Sequence, residues 1–271
     1  MNKQLIRSMC RGAALTIALV TITGVAAGQA ATDPAGASSG RGIEPAGAKA
    51  PTGPAPKLYD GSPDFSGVWS TDRNFIYDIT DALKKGDTLP IQPWALKLAK
   101  ERQSENDPEA RCLPTGVPRL APYPWTIVQG PRNIYILFEG NIHSYRQIFM
   151  DGRKHSADPT PTWYGESVGH YEGDTLVIDT VGFNDKFWFD FAGHPHTEQL
   201  HTVERYRRPD RGHLEWETTI VDPGAYTRPF TLYGHSTLQT NTDLMEYICQ
   251  ENNQDVKHIH GKDPRNNLSR Q

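Results

Sequence analysis

The sequence predicts a mostly β domain, an antiparallel closed barrel with one helix, and three observations carry that prediction. From about residue 58 to residue 249, short apolar-rich runs recur with Gly, Asp and Asn punctuation at hairpin spacing. One segment alone, opening at Pro93, has helical character. No internal repeat is visible, which argues against a propeller or solenoid.

In chain order, Lys3, Arg7 and Arg11 precede an uncharged, largely apolar run from Gly12 to Ala27 and the small-residue stretch Gly28 to Ala31. This is the pattern of a secretory signal peptide over residues 1–30 and places the protein in the periplasm or outside the cell. The run is shorter than the ~20 residues that span a bilayer, so no membrane insertion is expected. Cys10 precedes it, which disfavours a lipid anchor. Residues 31–57 are rich in Ala, Gly and Pro and read as a disordered linker. Residues 58–251 form the barrel domain, and 252–271 a polar tail whose His258 and His260 lack a rigid frame for a metal.

Removing residues 1–30 takes three of the 28 Lys and Arg and none of the 32 Asp and Glu, leaving a net charge of −7. Such a surface disfavours nucleic acid as a partner. The cluster Arg205, Arg207, Arg208 and Arg211 reads as a solvated hairpin face. Two cysteines remain, Cys112 and Cys249, and an oxidising compartment would join them in a disulfide.

Strands are expected at Thr126–Val128, Asn133–Glu139, His143–Met150, Val168–Tyr171, Thr175–Phe183, Leu200–Arg207, Leu214–Val221, Phe230–Gln239 and Leu244–Cys249. The helix starts at Pro93, a favoured first-turn position, and runs towards the stop at Asp107-Pro108. Pro63-Asp-Phe-Ser-Gly-Val-Trp69 resembles the Gly-x-Trp first strand of lipocalin-like barrels, which implies an aromatic ring plugging one end. Together, Cys112-Leu-Pro-Thr-Gly-Val-Pro-Arg119, Asp151-Gly-Arg153, the stretch Tyr171 to Phe183, and His201-Thr-Val-Glu-Arg205 resemble an uncharacterised secreted bacterial family. That resemblance implies no activity.

Charge on otherwise apolar strand faces is the clue to function, because alternate side chains point to opposite sides of a sheet. Asp179 stands between Val177 and Val181, Arg146 beside Ile148, Glu139 after Leu137, and Glu204 between Leu200 and Tyr206. A buried ion costs several kcal/mol unless paired, so Arg146 should face at least one of these carboxylates inside a shared interior. Two readings stay open, a structural ion network and the polar floor of a ligand cavity. Aromatic residues Trp125, Trp163, Tyr164, Phe187, Trp188 and Phe189, in loops or at strand ends, favour the second.

His194, His196 and His201 have a spacing that suits a metal-dependent hydrolase or lyase, yet no His-Glu-x-x-His helix accompanies them, and no metal or other cofactor is expected. His201 is the preferred acid–base residue, with Asp179 and Glu204 as its carboxylate partners. Arg119, Arg146, Trp163, Tyr164, Trp188 and Arg205 are the expected substrate contacts, although Arg119 would equally cap the Cys112 loop. Asp151 is a further carboxylate for glycosidase chemistry. No Gly-x-Ser-x-Gly elbow, phosphate loop or dinucleotide fingerprint is present. The expected partner is a small apolar or aromatic molecule, held passively or turned over by cofactor-free lyase, hydratase or isomerase chemistry.

Overall fold

The computed structural model describes residues 49–71, 74–119, 123–140 and 144–251. The expected signal peptide, most of the linker, His143 and the polar tail lie outside the described residues. Nine strands close into one barrel: β1 Val68–Thr71, β2 Trp125–Gln129, β3 Asn133–Phe138, β4 Tyr145–Phe149, β5 Glu166–Glu172, β6 Thr175–Val181, β7 His201–Arg207, β8 His213–Val221 and β9 Phe230–Gln239. β1 completes the ring by pairing antiparallel with both β2 and β9.

Three expectations need correction. The barrel is not purely antiparallel, because β4 and β5 run parallel, with Ile148 opposite Ser167. Their connection, residues 150–165, is long enough to cross over the sheet, as a parallel pair requires. Leu244–Cys249 adds no strand; β1 occupies the free edge of β9 instead. The last part of the expected linker, 49–57, lies against the barrel, where Gly53 O accepts from Arg211 N at 3.0 Å.

The helix, α1, spans Pro93–Glu101 with proline in its first turn, and stops short of Asp107. That aspartate instead caps a short 3-10 turn by accepting from Glu109 N. Cys112 and Cys249 are joined in a disulfide, tying the segment before β2 to the chain end after β9. Between β5 and β6 the turn needs a left-handed residue, and Gly173 supplies it at φ 59°.

Strand alternation fills the barrel from every side: Ile134, Ile136 and Phe138 of β3, Leu176 and Ile178 of β6, and Leu214 and Ile220 of β8 are all buried. Trp69 of β1 is fully buried. Its Nε1 donates to Phe65 O at 2.9 Å, and the Arg208 guanidinium lies 4.8 Å over its ring while donating to Asp64 O, Ser66 O and Arg211 O. Phe187, Phe189, Tyr226 and Phe230 pack as a chain of rings.

Candidate functional site

Parity along β7 is decisive. Thr202 and Glu204 are buried and, with Tyr206, point inward, whereas His201 and Arg205 point out. From β4, Arg146 enters the same interior, and its Nη2 lies 2.5 Å from Glu204 Oε2. The expected pairing of Arg146 with a carboxylate is therefore present. Its Nε donates to Ser167 Oγ at 3.0 Å and its Nη2 to Thr180 Oγ1 at 2.6 Å, so neighbouring strands β5 and β6 share in holding the cation. The Tyr206 hydroxyl donates to Glu204 Oε1 at 3.0 Å. Burial, reinforced by the Glu204 carboxylate, pushes the Tyr206 hydroxyl well above the usual phenol range.

These groups floor a cavity of about 30 Å³, lined also by Val117, Pro118, Trp125, Ile136, Phe138, Trp216 and Thr218. That volume holds one or two water molecules and is far below the ~150 Å³ that accepts a benzene ring. Two buried polar atoms of the lining keep capacity to spare. Trp216 Nε1 has no hydrogen-bond partner among the described residues, and the Glu204 Oε2 contact with Arg146 is an ion contact at an angle outside hydrogen-bond geometry. The Trp216 indole lies flat over Gly234 of β9, where a Cβ would stand 2.1 Å from Cζ2, and Phe75 packs edge-on against it at 5.3 Å.

Asp179 is on the outer face, which corrects the expected interior placement. The β6 interior is Leu176, Ile178 and Thr180, one residue out of phase with the set that includes Asp179. Asp179 joins two histidines, with His155 Nε2 at 2.7 Å from one carboxylate oxygen and His201 Nε2 at 2.9 Å from the other. His155 also meets Glu166 at 3.2 Å through Nδ1, and Glu166 accepts from both Ser156 N and Oγ. The cluster thus fastens the crossover segment 150–165 to β5, β6 and β7. His201 and Asp179 touch each other as expected, but the sheet separates both from Glu204.

The other expected contacts lie elsewhere. Arg119 is fully buried, bound to Asp107 at 2.7 Å and to Glu109, and stacked 4.1 Å from Phe191, so it braces the segment around Cys112. Trp163 packs against the core, and the Tyr164 hydroxyl donates to Ser144 Oγ. Trp188 is covered by Arg102 at 4.6 Å. Arg205 joins Glu172 and Glu217 in an outer ladder, and Asp151 is held down to about 2 by its hydrogen bonds from Arg153. Glu139 accepts from Met245 N.

The three clustered histidines diverge. His194 Nδ1 bonds Asp190 at 2.5 Å, His196 packs at a tilt 3.8 Å from the Phe187 ring, and His201 lies outside with Asp179. Among the described residues the one group with metal-ligand proximity is Asp78, Asp190 and His194. There, Asp190 already accepts from Ile79 N, His194 N and His194 Nδ1.

No protein family, curated protein or solved structure matches the chain.

Of the cavity residues, sequence reasoning named Arg146 and Glu204 for their chemistry and Trp125 for its ring. It missed Tyr206, Trp216 and Thr218, although all three share the alternation of Glu204 on β7 and its neighbour β8. Val117 and Pro118 carried no signal, since loop residues announce no side of a sheet.

Proposed function

We propose that this protein binds a small, largely apolar molecule inside its barrel, in the manner of lipocalin-like carriers, and that it does so after export to an oxidising compartment. The observation that carries the reading is the Trp216 indole N–H, buried and unpartnered among the described residues on the wall of an aromatic cavity floored by Arg146, Glu204 and Tyr206. Buried polar groups are paired in folded proteins, and a donor left open beside a cavity points to an occupant. Export is supported by the charged-then-apolar N-terminus and agrees with the Cys112–Cys249 disulfide.

Carriage is favoured over catalysis because the expected acid–base set is divided by the sheet: His201 and Asp179 face out and Glu204 faces in. Inside, the Tyr206 proton is held tightly and donated to Glu204. A ring-sized ligand needs more room than the resting cavity offers. Val117 and Pro118 are the wall that yields, because they belong to a loop, whereas the rest of the lining stands on paired strands. The test is a thermal-shift titration with toluene, 1-hexanol and phenol. Specific binding to the native state raises Tm with concentration. Thr218→Met, which fills the cavity, should abolish the rise. Equal shifts in Thr218→Met and wild type would place binding elsewhere and overturn the reading.

A further inference from the structure

The charge balance and the open hydrogen-bonding capacity of the cavity also select among ligands. Arg146 is the one cation and Glu204 the one anion in the lining. They neutralise each other at 2.5 Å, and Ser167 and Thr180 accept from the guanidinium as well. An anionic ligand would meet the Glu204 carboxylate with no free cation to offset it, and a cationic one would compete with Arg146. A desolvated, unpaired charge carries a penalty of several kcal/mol, so the site rejects both signs.

Two buried polar atoms of the lining residues have no hydrogen-bond partner among the described residues, the donor Trp216 Nε1 and the acceptor Glu204 Oε2. The Tyr206 O–H is already committed to Glu204 Oε1. A carbonyl answers only the donor, and an amine N–H answers the acceptor best. A hydroxyl accepts from the indole and donates to the carboxylate with one group. The remaining wall, Trp125, Ile136, Phe138 and Val117, is apolar.

Resting on the pocket reading above, we propose that the ligand is an uncharged hydroxyl-bearing molecule, a phenol or an apolar alcohol, whose O–H bridges Trp216 Nε1 and Glu204. Sites built to hydrogen-bond a hydroxyl discriminate strongly against analogues that lack it, because the buried protein groups are then left unpaired.

The experiment is isothermal calorimetry of the full chain, with the disulfide intact, against three monosubstituted benzenes: phenol, toluene and benzoate. Phenol should bind at least tenfold tighter than toluene, and benzoate weakest of all. Trp216→Phe keeps an aromatic ring on the wall while removing the N–H with part of the indole, so the preference for phenol over toluene should fall by about tenfold. Should Trp216→Phe fail to fold, anisole against the wild-type chain is the second readout: it keeps the oxygen acceptor and loses the O–H donor, so it should bind at least tenfold more weakly than phenol, and equal binding overturns the assignment. Equal binding of phenol and toluene, or tighter binding of benzoate, overturns the hydroxyl assignment while leaving the pocket standing. A tenfold preference that survives in Trp216→Phe overturns it too. Absence of binding by all three probes overturns the pocket reading and this inference together.

Discussion

Removing the guanidinium from the barrel floor should expose how much of the fold rests on one ion pair. In Arg146→Met, Glu204 keeps only the Tyr206 hydroxyl as partner and stands 2% exposed in an apolar interior, while Ser167 and Thr180 lose their shared donor. Breaking a buried pair on one side costs about 3–5 kcal/mol. Glu204→Gln should cost about 2 kcal/mol, because Arg146 retains two hydroxyl acceptors and the amide oxygen remains an acceptor. The double variant should fall short of the sum of the singles by about 0.5–3 kcal/mol, the range for residues in direct contact. Asp179→Asn is the control on the outer face: its side chain is 35% exposed, and its contacts to His155 and His201 are at the surface, so it should cost less than about 1 kcal/mol. Urea unfolding followed by tryptophan fluorescence, with the slope checked for constancy, measures all four. Additivity of Arg146 and Glu204 within about 0.5 kcal/mol, or a loss at Asp179 equal to that at Arg146, would refute the division of inner and outer charges.

Gly234→Ala should destabilise by about 1–3 kcal/mol and alter the near-ultraviolet signal of Trp216, because the new methyl would stand 2.1 Å from Cζ2 and force the indole towards the cavity. Thiol titration of the denatured, unreduced chain lacking residues 1–30 should find no free thiol. Reduction should then lower stability by about 4–5 kcal/mol, the loop-entropy value for a bridge spanning 137 residues, checked by paired urea curves with and without reductant. His196 is held down to about 4 by burial against Phe187 and Phe189, so the folded state disfavours its proton. Its unfolded value is about 6.5. Its contribution is complete above that value and is lost as pH falls towards 4, by about 3 kcal/mol in all. His196→Phe should remove that part of the pH slope, measured as the difference between the two unfolding profiles from pH 7.5 to 4.

Much of the fold was legible because its signals are local. Phe230–Gln239 is a strand at the expected bounds, Pro93 opens the helix, and the two cysteines after residue 30 have one pairing available. Strand parity was legible only where one face is plainly polar. On β7, the alternation of His201, Val203, Arg205 and Arg207 with Thr202, Glu204 and Tyr206 puts polar side chains on both sides, and the structure alone orients it. On β6, Leu176, Val177 and Ile178 are buried in succession. There the crossover segment covers the outer face through His155, so both faces look like core and the choice of side is not encoded nearby. The parallel pairing of β4 with β5 escaped for the same reason. Nothing within either strand reports how the sixteen or so residues between them travel. The cavity wall at Val117 and Pro118 depends on where a loop comes to rest, a long-range fact.

The pairing of Val68 with Gln239 and of Val68 with Thr126 has a kinetic consequence. β1 borders both its near successor and β9, the last of the barrel strands, so the ring stays open until β9 has been made. A chain emerging N-terminus first would expose one unsatisfied strand edge of β1 throughout, and the final event is a zipping of two remote segments across the full loop. Barrels whose closing contacts are this distant fold on the slow side, in milliseconds to seconds.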